Sequence, residues 1–391
     1  MSVVIASAVR TPMGAFQGAF ASMKAGQLGA AAVKEALVRA GVEAAGVDQI
    51  YMGNVLQAGQ GQAPARQAAL FAGLSDRTQS VTLNKMCGSG LEAIIQASRA
   101  LRLGDAEVVV AGGMESMTNA PYLVPGARGG MRLGDGKLVD SMILDGLWDV
   151  YNDKHMGSCA ELCATKYAFS REAQDEYAER SYRRAQAAMQ DGTFAAEIVP
   201  VEVPGRRGQV TVVEHDEGPS QVDFDKMRTL RPAFEKEGSV TAANASTLND
   251  GAAALVVTTE EVAAARGMPV VARVLGYAGS AAQPEWFTTA PVAAMQALYT
   301  RLGWQPADVD VYEINEAFSV VPMAAMAEFG LDAEKVNVLG GAVALGHPIG
   351  ASGARIVVTL INALRKQGGK RGMASICIGG GEALALGLEL V

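Results

Sequence analysis

The sequence predicts an α/β fold built from two copies of one unit, because three pairs of segments match along its 391 residues. Residues 41–48 match 303–310, and both segments end in Val-Asp before a strand-like stretch. Residues 89–90 and 352–353 are both Ser-Gly and begin stretches with apolar residues at helical spacing. Residues 112–115 and 379–382 are glycine runs that end in glutamate. The common order of these pairs indicates a duplicated unit.

Short apolar strands alternate with helices in both copies, which is typical of buried sheets covered by helices. Residues 2–6 predict a first strand rather than a signal or transit peptide. In the second copy, the predicted strand 384–390 follows the glycine run at once. In the first copy, the matching strand is predicted at 252–258, so a long insertion separates it from its glycine run.

This insertion gives the chain three predicted parts. Residues 1–118 with 250–268 form an N-terminal half, residues 119–249 an inserted domain, and residues 269–391 a C-terminal half. A long insertion with its own composition is typical of a segment that covers a ligand. It carries a basic cluster that is a candidate for binding an anionic ligand, although a solvated charged loop explains any single member equally well: Arg206, Arg207, Lys226, Arg228, Arg231 and Lys236.

The composition excludes several classes of protein. Hydrophobic residues make up 49% of the chain, which predicts a buried core and argues against disorder. A net charge of −8 argues against non-specific binding of nucleic acid. No apolar run reaches membrane-spanning length, so no membrane partner is expected. Four cysteines make no disulfide framework in a chain of this length, and we therefore expect a cytoplasmic protein.

Cys87 is the strongest candidate for a nucleophile. It precedes Gly-Ser-Gly at 88–90 and a predicted helix. At a helix N-terminus, the exposed N–H groups and the helix dipole favour a thiolate, and the same N–H groups can hold an oxyanion. The alternative is a small buried cysteine that only packs. The surrounding glycines favour the catalytic interpretation.

His347 and Cys377 lie in two further glycine-rich segments. His347 stands between glycines and before a proline, a poor place for a core histidine, and it is a candidate base for the thiol. Cys377 ends an apolar strand at the position that we align with Val110. Core packing is the alternative for Cys377, but the adjacent glycines let a backbone approach a ligand closely.

Asn315 begins the segment Asn-Glu-Ala-Phe where a predicted strand ends. Its amide could donate to a developing negative charge or act as a helix N-cap. We expect no metal site, because Cys159 and Cys163 are four residues apart with no close histidine or third thiol. Buried packing is the preferred interpretation of that pair.

Together these segments closely resemble the thiolase family, in particular its biosynthetic branch. The resemblance rests on residues 83–94, 315–318, 337–353 and 373–386, and it runs the length of the chain. It implies a duplicated thiolase fold of five layers, αβαβα, with an inserted loop domain. The internal repeat supports this implication independently.

The resemblance implies a reversible Claisen condensation of two acetyl-CoA to acetoacetyl-CoA and CoA. Cys87 is expected to carry the acetyl group as a thioester, and His347 to activate it and to donate to the second thioester oxygen. Cys377 is expected to remove the α-proton. Asn315 is similar to an asparagine that holds a water in the enolate-stabilising site. The N–H groups of Cys87 and Gly379 are similar to the pair that binds the tetrahedral oxyanion.

The resemblance also implies contacts with coenzyme A, which is substrate and product, and no cofactor. The expected contact residues are Leu147, His155, Met156, Ala233, Phe234, Ser246 and Phe318. Residues 131–148 resemble a segment with which biosynthetic members form homotetramers. The loop arginine that some members place near the nucleotide has no equivalent near Pro219. Phe287 stands where many acetyl-specific members have methionine.

Two alternatives stay open. The first is a degradative thiolase for longer 3-ketoacyl-CoA chains. The second is a catalytically silent thiolase-fold scaffold or lipid-binding module, against which the intact set of Cys87, His347 and Cys377 argues. Cys377 also argues against ketoacyl synthases, which share the fold but usually pair one cysteine with two histidines or with a histidine and an asparagine.

Overall fold

The computed structural model describes residues 1–391 and contains one large sheet that runs through both copies. Three helices of the first copy cover its strands: α1 (Ala25–Ala40), α2 (Pro64–Phe71) and α3 (Ser89–Leu103). The strands up to the insertion are β1 (Val3–Arg10), β2 (Gly14–Ala15), β3 (Gln49–Gly53), β4 (Gln79–Leu83) and β5 (Val108–Ser116).

The insertion between β5 and the next large strand contains short hairpins and two long helices. Its strands are β6 (Tyr122–Leu123), β7 (Val139–Asp140), β8 (Trp148–Asp149), β9 (Lys154–His155), β10 (Val201–Pro204) and β11 (Val210–Val213). Its helices are α4 (Met156–Tyr167), α5 (Arg171–Gln190) and α6 (Phe224–Met227).

The remaining elements complete the first copy and form the second. The strands are β12 (Asn249–Thr259), β13 (Ala272–Ala281), β14 (Val311–Ile314), β15 (Arg371–Ile378) and β16 (Glu382–Leu390). The helices are α7 (Glu260–Arg266), α8 (Ala290–Leu302), α9 (Val320–Phe329), α10 (Ala342–Leu345) and α11 (Ile349–Gln367). None of the helices is both long and apolar enough to span a bilayer.

The sheet topology confirms the duplication. The strand order is β4-β3-β5-β12-β1-β13-β16-β15-β14. The series β3-β5-β12-β1 of the first copy corresponds to the series β14-β15-β16-β13 of the second. The third strand of the second copy is reduced to a single parallel bridge between Tyr312 and Val336. The copies join through a short antiparallel contact of β1 with β13, from Val3 opposite Val274 to Ile5 opposite Ala272.

Alternating side chains of the strands face three apolar cores. The central core, around α3 and α11, lies between the strands of the two copies, and an outer core lies on the far side of each copy's strands, which gives five layers. Val109 and Ala111 of β5 face a central core with α3 and α11, whereas Val108 and Val110 face an outer core with α1 and α2. The other outer core holds α4, α8 and α9. The strands are apolar on both faces because each is covered on both sides, as the apolar runs of the sequence predict. The predicted αβαβα architecture is confirmed.

The register of the two copies differs from the alignment made on sequence. Asp48 accepts hydrogen bonds from the N–H groups of residues 107 and 108, and Asp310 accepts them from 370 and 371. When residues 107–108 are matched with 370–371, Cys377 is equivalent in position to Met114, and not to Val110. The two glycine runs are not equivalent either, because 112–115 lie within β5 whereas 379–381 form the turn between β15 and β16.

Buried ion pairs fasten the insertion to the sheet. Arg10, at the end of β1, is fully buried and donates from Nε to Glu197 at 2.5 Å and from Nη1 to Asp216 at 2.6 Å. Thr359 and Asn362 of α11 donate to the same Glu197 carboxylate. Because a buried charge is costly without partners, this cluster holds the insertion against both copies.

Replacement of Gly113 by alanine tests the packing of β5 against α11. A Cβ at this position would lie 2.1 Å from the carbonyl oxygen of Gly350, a backbone atom that cannot rotate away. We expect Gly113→Ala to lower the free energy of unfolding by about 1–3 kcal/mol in urea titrations. Gly129→Ala, where a Cβ meets nothing within 4 Å, is the matched control and should leave stability unchanged. Equal stability of both variants would contradict this packing.

Candidate active site

One cavity of about 700 Å³ brings residues of all three parts of the chain together. Of the residues predicted for the site, these line it: Cys87, Leu147, His155, Met156, Ala233, Phe234, Ser246, Phe318, His347 and Gly379. Cys377 and Asn315 are fully buried and do not contribute to its surface. No lysine, arginine, aspartate or glutamate lines the cavity, so it is suited to an uncharged, largely apolar portion of a ligand.

Cys87 lies in a strained turn immediately before α3. The N–H of Ser89 donates to the carbonyl of Met86 at 3.0 Å, and the Ser89 hydroxyl donates to the same oxygen at 2.6 Å. These bonds hold Met86 in the left-handed region at φ 46°, which is rare for a bulky residue. Strain of this kind persists only where surrounding contacts impose it, and it is common at functional sites.

Burial keeps the Cys87 thiol protonated in the free protein. Its pKa is raised to about 11 because removal from water disfavours the thiolate, and the charge of Glu115 adds to this effect. The backbone N–H groups of Gly379 and of Cys87 itself act in the opposite direction. The prediction that the helix start favours a thiolate is therefore wrong for the net effect, although the two N–H groups predicted to hold an oxyanion do meet at this sulfur.

His347 is a buried, neutral imidazole with one nitrogen free. Nδ1 lies 2.6 Å from the Ser352 hydroxyl, which donates its proton to the Pro348 carbonyl at 2.9 Å. Ser352 must then accept from Nδ1–H, which leaves Nε2 unprotonated. Nε2 is buried without a hydrogen-bond partner. Burial and the positive charge of Arg355 lower the His347 pKa to about 3, so the imidazole is unprotonated at neutral pH.

Cys377 lies at the end of β15, close to the other thiol. Its pKa is raised well above its ordinary value by burial and then by the charge of Cys87, while the N–H groups of Ala317 and of Cys377 itself oppose this. A thiol with a raised pKa is a proton donor at neutral pH, and its thiolate is a strong base once formed.

Asn315 follows β14, and its backbone N–H donates to the Ser375 carbonyl at 2.9 Å. Both polar atoms of its side chain are buried and have no partner in the protein. The helix-cap alternative is wrong, because α9 begins at Val320 with Ser319 as its N-cap. An unpartnered buried amide is costly, and it marks a place where a ligand or water can bind.

Glu115 supports the site, although it was not among the predicted site residues. Its buried carboxylate accepts from Gly350 N at 2.9 Å, Asn54 Nδ2 at 2.6 Å and Val55 N at 3.0 Å. It thus ties the first turn of α11 to the loop after β3. Burial raises its pKa to about 7, while the backbone N–H groups oppose this rise.

Aromatic rings shape the wall formed by the insertion. His155 accepts from Gly157 N at 3.0 Å through Nδ1 and stacks on Phe234 at 4.8 Å between ring centroids. Phe318 meets Phe234 edge-on at 6.0 Å and Phe287 at 6.3 Å. These rings narrow the cavity around uncharged groups.

The basic cluster is separate from the cavity lining. Arg206 and Arg207 are exposed in the turn between β10 and β11, and Arg228 pairs with Glu179 on α5. None of the six cations lines the cavity. Three lining residues of the insertion were not predicted: Tyr182, Gln221 and Val222. Gln221 and Val222 lie shortly after Pro219, in the region where the loop arginine of some members has no equivalent.

Comparisons with known proteins agree with this arrangement. Residues 3–261 match the model of the thiolase N-terminal domain and residues 268–390 that of the thiolase C-terminal domain. Acetyl-CoA acetyltransferase 2 of Arabidopsis thaliana is 52% identical over 391 residues, covering 100% of this chain and 97% of the relative. Acetyl-CoA acetyltransferase of Cupriavidus necator is 50% identical over 388 residues, covering 99% of each chain.

Two solved structures share the fold over the full length. The Acat5 thiolase from Ascaris suum, in complex with coenzyme A, has a TM-score of 0.95 and 44% identity and covers 100% of both chains. The acetyl-CoA acetyltransferase of Bacillus anthracis has a TM-score of 0.97 and 41% identity, covering 100% of this chain and 99% of that one.

Alkylation by iodoacetamide tests the state of the thiols. Cys87 is half-buried and faces the cavity, whereas Cys159, Cys163 and Cys377 are fully buried, so Cys87 should be labelled first. Because its pKa is raised to about 11, the thiolate fraction and the labelling rate should rise about tenfold per pH unit from pH 7 to 9. Peptide mapping and mass spectrometry give the site and the rate. A rate that levels off by pH 8, or a first label on Cys159, would contradict the assignment.

Proposed function

The chain belongs to the thiolase family, and from that premise we propose that it is an acetyl-CoA C-acetyltransferase that condenses two acetyl-CoA to acetoacetyl-CoA and CoA, reversibly. The observation that carries the proposal is that Cys87 and His347, whose Nε2 is free, line one cavity, while the second thiol, Cys377, interacts with Cys87 from beneath the cavity surface. Relatives at about half identity over the whole chain bear the name of this activity.

The first half-reaction transfers an acetyl group to Cys87. Its sulfur attacks the carbonyl carbon of acetyl-CoA, and its proton passes to Nε2 of His347. The N–H groups of Cys87 and Gly379 stabilise the tetrahedral oxyanion. The carbon–sulfur bond to CoA then breaks, and Cys377 gives its proton to the leaving thiolate. The raised pKa of Cys377 means that this proton is present on the thiol at rest.

The second half-reaction forms the carbon–carbon bond. The Cys377 thiolate removes the α-proton of a second acetyl-CoA, and the protonated His347 together with Asn315 stabilises the enolate oxygen. The α-carbon attacks the carbonyl of the Cys87 thioester, and the bond from that carbonyl to sulfur breaks. His347 returns its proton to Cys87, so all groups recover their starting state.

The remaining predicted contacts fit the same ligand. We assign the pantetheine arm of coenzyme A to the uncharged wall formed by Leu147, His155, Met156, Phe234 and Phe318. Ala233 and Ser246 also line this wall. Because no cation lines the cavity, the nucleotide phosphates are placed outside it, where the basic cluster of the insertion is available. We propose that the three contacting phenylalanines favour an acetyl group over longer acyl chains.

We also infer a cytoplasmic homotetramer. All four cysteines are free thiols, as expected in a reducing compartment. The insertion exposes apolar side chains within residues 131–148, including Met131 at 60%, Leu133 at 104% and Leu138 at 67% of full exposure. Such a concentration of exposed apolar groups is typical of a surface that contacts another subunit.

Replacement of Cys377 by alanine separates the two half-reactions. Cys377→Ala keeps Cys87, its turn and His347, so acetyl-CoA should still add an acetyl group to the peptide that contains Cys87. Carbon–carbon bond formation should fall by about 10²–10⁴, because the base at the α-carbon is lost. The measurements are peptide mass spectrometry after acetyl-CoA and turnover of acetoacetyl-CoA.

Cys163→Ala is the matched control, since Cys163 is equally buried in the same apolar core. It should lose some stability and retain turnover, and Cys87→Ala should lose acylation entirely. Near-normal turnover of Cys377→Ala would remove this thiol from the mechanism. Absence of both acylation and turnover in the unsubstituted protein would refute the proposed function itself.

Replacement of exposed leucines tests the tetramer. With Leu133→Ser and Leu138→Ser combined, burial of these side chains between subunits no longer stabilises the assembly, so light scattering should show a smaller particle. Leu103→Ser removes a leucine that is 77% exposed on α3, outside this segment, and should leave the mass unchanged. The same mass for all three proteins would assign the segment to some other role.

A further inference from the structure

Asn249 occupies the point at which the chain returns from the insertion into the sheet. It is the first residue of β12, is 1% exposed, and lines the cavity beside the loop that carries His347. None of the chemical steps described above uses its side chain. The buried Asn249 amide therefore has a role other than direct participation in these steps.

Three partners fix the orientation of the Asn249 amide. Oδ1 accepts from the backbone N–H of His347 at 3.1 Å and from the Thr247 hydroxyl at 2.7 Å, and Nδ2 donates to the Gly14 carbonyl at 2.9 Å. The His347 N–H is shared with the Thr247 carbonyl at 3.3 Å. Two acceptor contacts and one donor contact require an amide, because a carboxylate has no proton for Gly14.

The turn before His347 is also shaped around this amide. Gly346 adopts φ 103°, a conformation that L side chains rarely adopt, and a Cβ there would lie 2.2 Å from Cγ of Asn249. The Gly346 backbone thus lies directly on the amide. Ser352 holds the imidazole from the other side through Nδ1. The main chain and the ring of His347 are consequently held by two different side chains.

From these contacts we propose that Asn249 is a positioning residue that sets the main-chain position of His347, and thereby the aim of Nε2 at the Cys87 thiol. The reaction in which this matters rests on the proposed function. The Asn249 side chain thus connects β12 and β2 of the first copy to the loop of the second copy that carries His347.

The test compares Asn249→Ala with Asn362→Ala. Asn362 is also a buried amide that donates to a backbone carbonyl, at 2.9 Å, but it lies toward the other end of α11. We expect Asn249→Ala to lower kcat about 10–100-fold, the range of a misplaced general base, with KM for acetyl-CoA changed less than about threefold. Asn362→Ala should lose stability and keep kcat. Thermal unfolding of both variants separates folding from catalysis.

A second comparison asks whether the effect passes through His347. In a His347→Ala background, we expect slow acetylation of Cys87, to be followed by mass spectrometry over hours, and Asn249→Ala should cause no further loss. An equal fold-loss with and without His347 would overturn the proposal, as would a kcat loss matched by Asn362→Ala.

The same variants are also treated with iodoacetamide, which reports on the aim of the base at Cys87 whatever the natural substrate is. Asn249→Ala should slow labelling of Cys87 at pH 7 in the presence of His347 and not in its absence. If acetyl-CoA fails as a substrate but this pattern holds, the proposed function fails and the positioning role stands. If turnover is normal and labelling is unaffected, the positioning role fails alone.

Discussion

The backbone contact between the first turns of α3 and α11 is the constraint on which the fold and the site both depend. A Cβ at Gly90 would lie 2.6 Å from the backbone nitrogen of Ala354, and one at Gly353 would lie 2.4 Å from that of Leu91. The two helices therefore touch main chain to main chain. Because Cys87 precedes α3 and His347 precedes α11, this contact delivers a thiol from one copy and an imidazole from the other to the same cavity.

Burial then gives these groups their chemical character. The layers that exclude water lower the pKa of His347 and raise that of Cys377, so that both are uncharged at rest. In the free protein, His347 is thus an unprotonated base and Cys377 a protonated acid. Protons are transferred only when negative charge develops on a bound substrate. The unpartnered side chain of Asn315 belongs to the same arrangement, since its hydrogen bonds await a ligand.

Local sequence patterns predicted many of the strands and several site residues, whereas contacts between distant parts of the chain could not be predicted. The predicted strands 252–258 and 384–390 lie within β12 and β16, because apolar runs and turns are local signals. The glycine runs at 112–115 and 379–382 look alike but differ in structure, because pairing partners decide whether such a run is strand or turn. Ser352, Asn249 and Glu115 act through atoms whose neighbourhood only the folded chain defines. The raised pKa of Cys87 likewise reflects burial, which outweighs the local helix start.

The placement of the insertion also has a consequence for synthesis of the chain. β1 pairs only with β12 and β13, so it has no partner until β12 has been made. Translation of the insertion, at about 5–20 residues per second, keeps the edges of β1 and β5 open for about 7–26 seconds. Those edges are apolar and prone to pair with other chains. The nascent chain therefore exposes unpaired strand edges during this time, and the pairing of β1 with the distant β12 is expected to form slowly once both strands have been made.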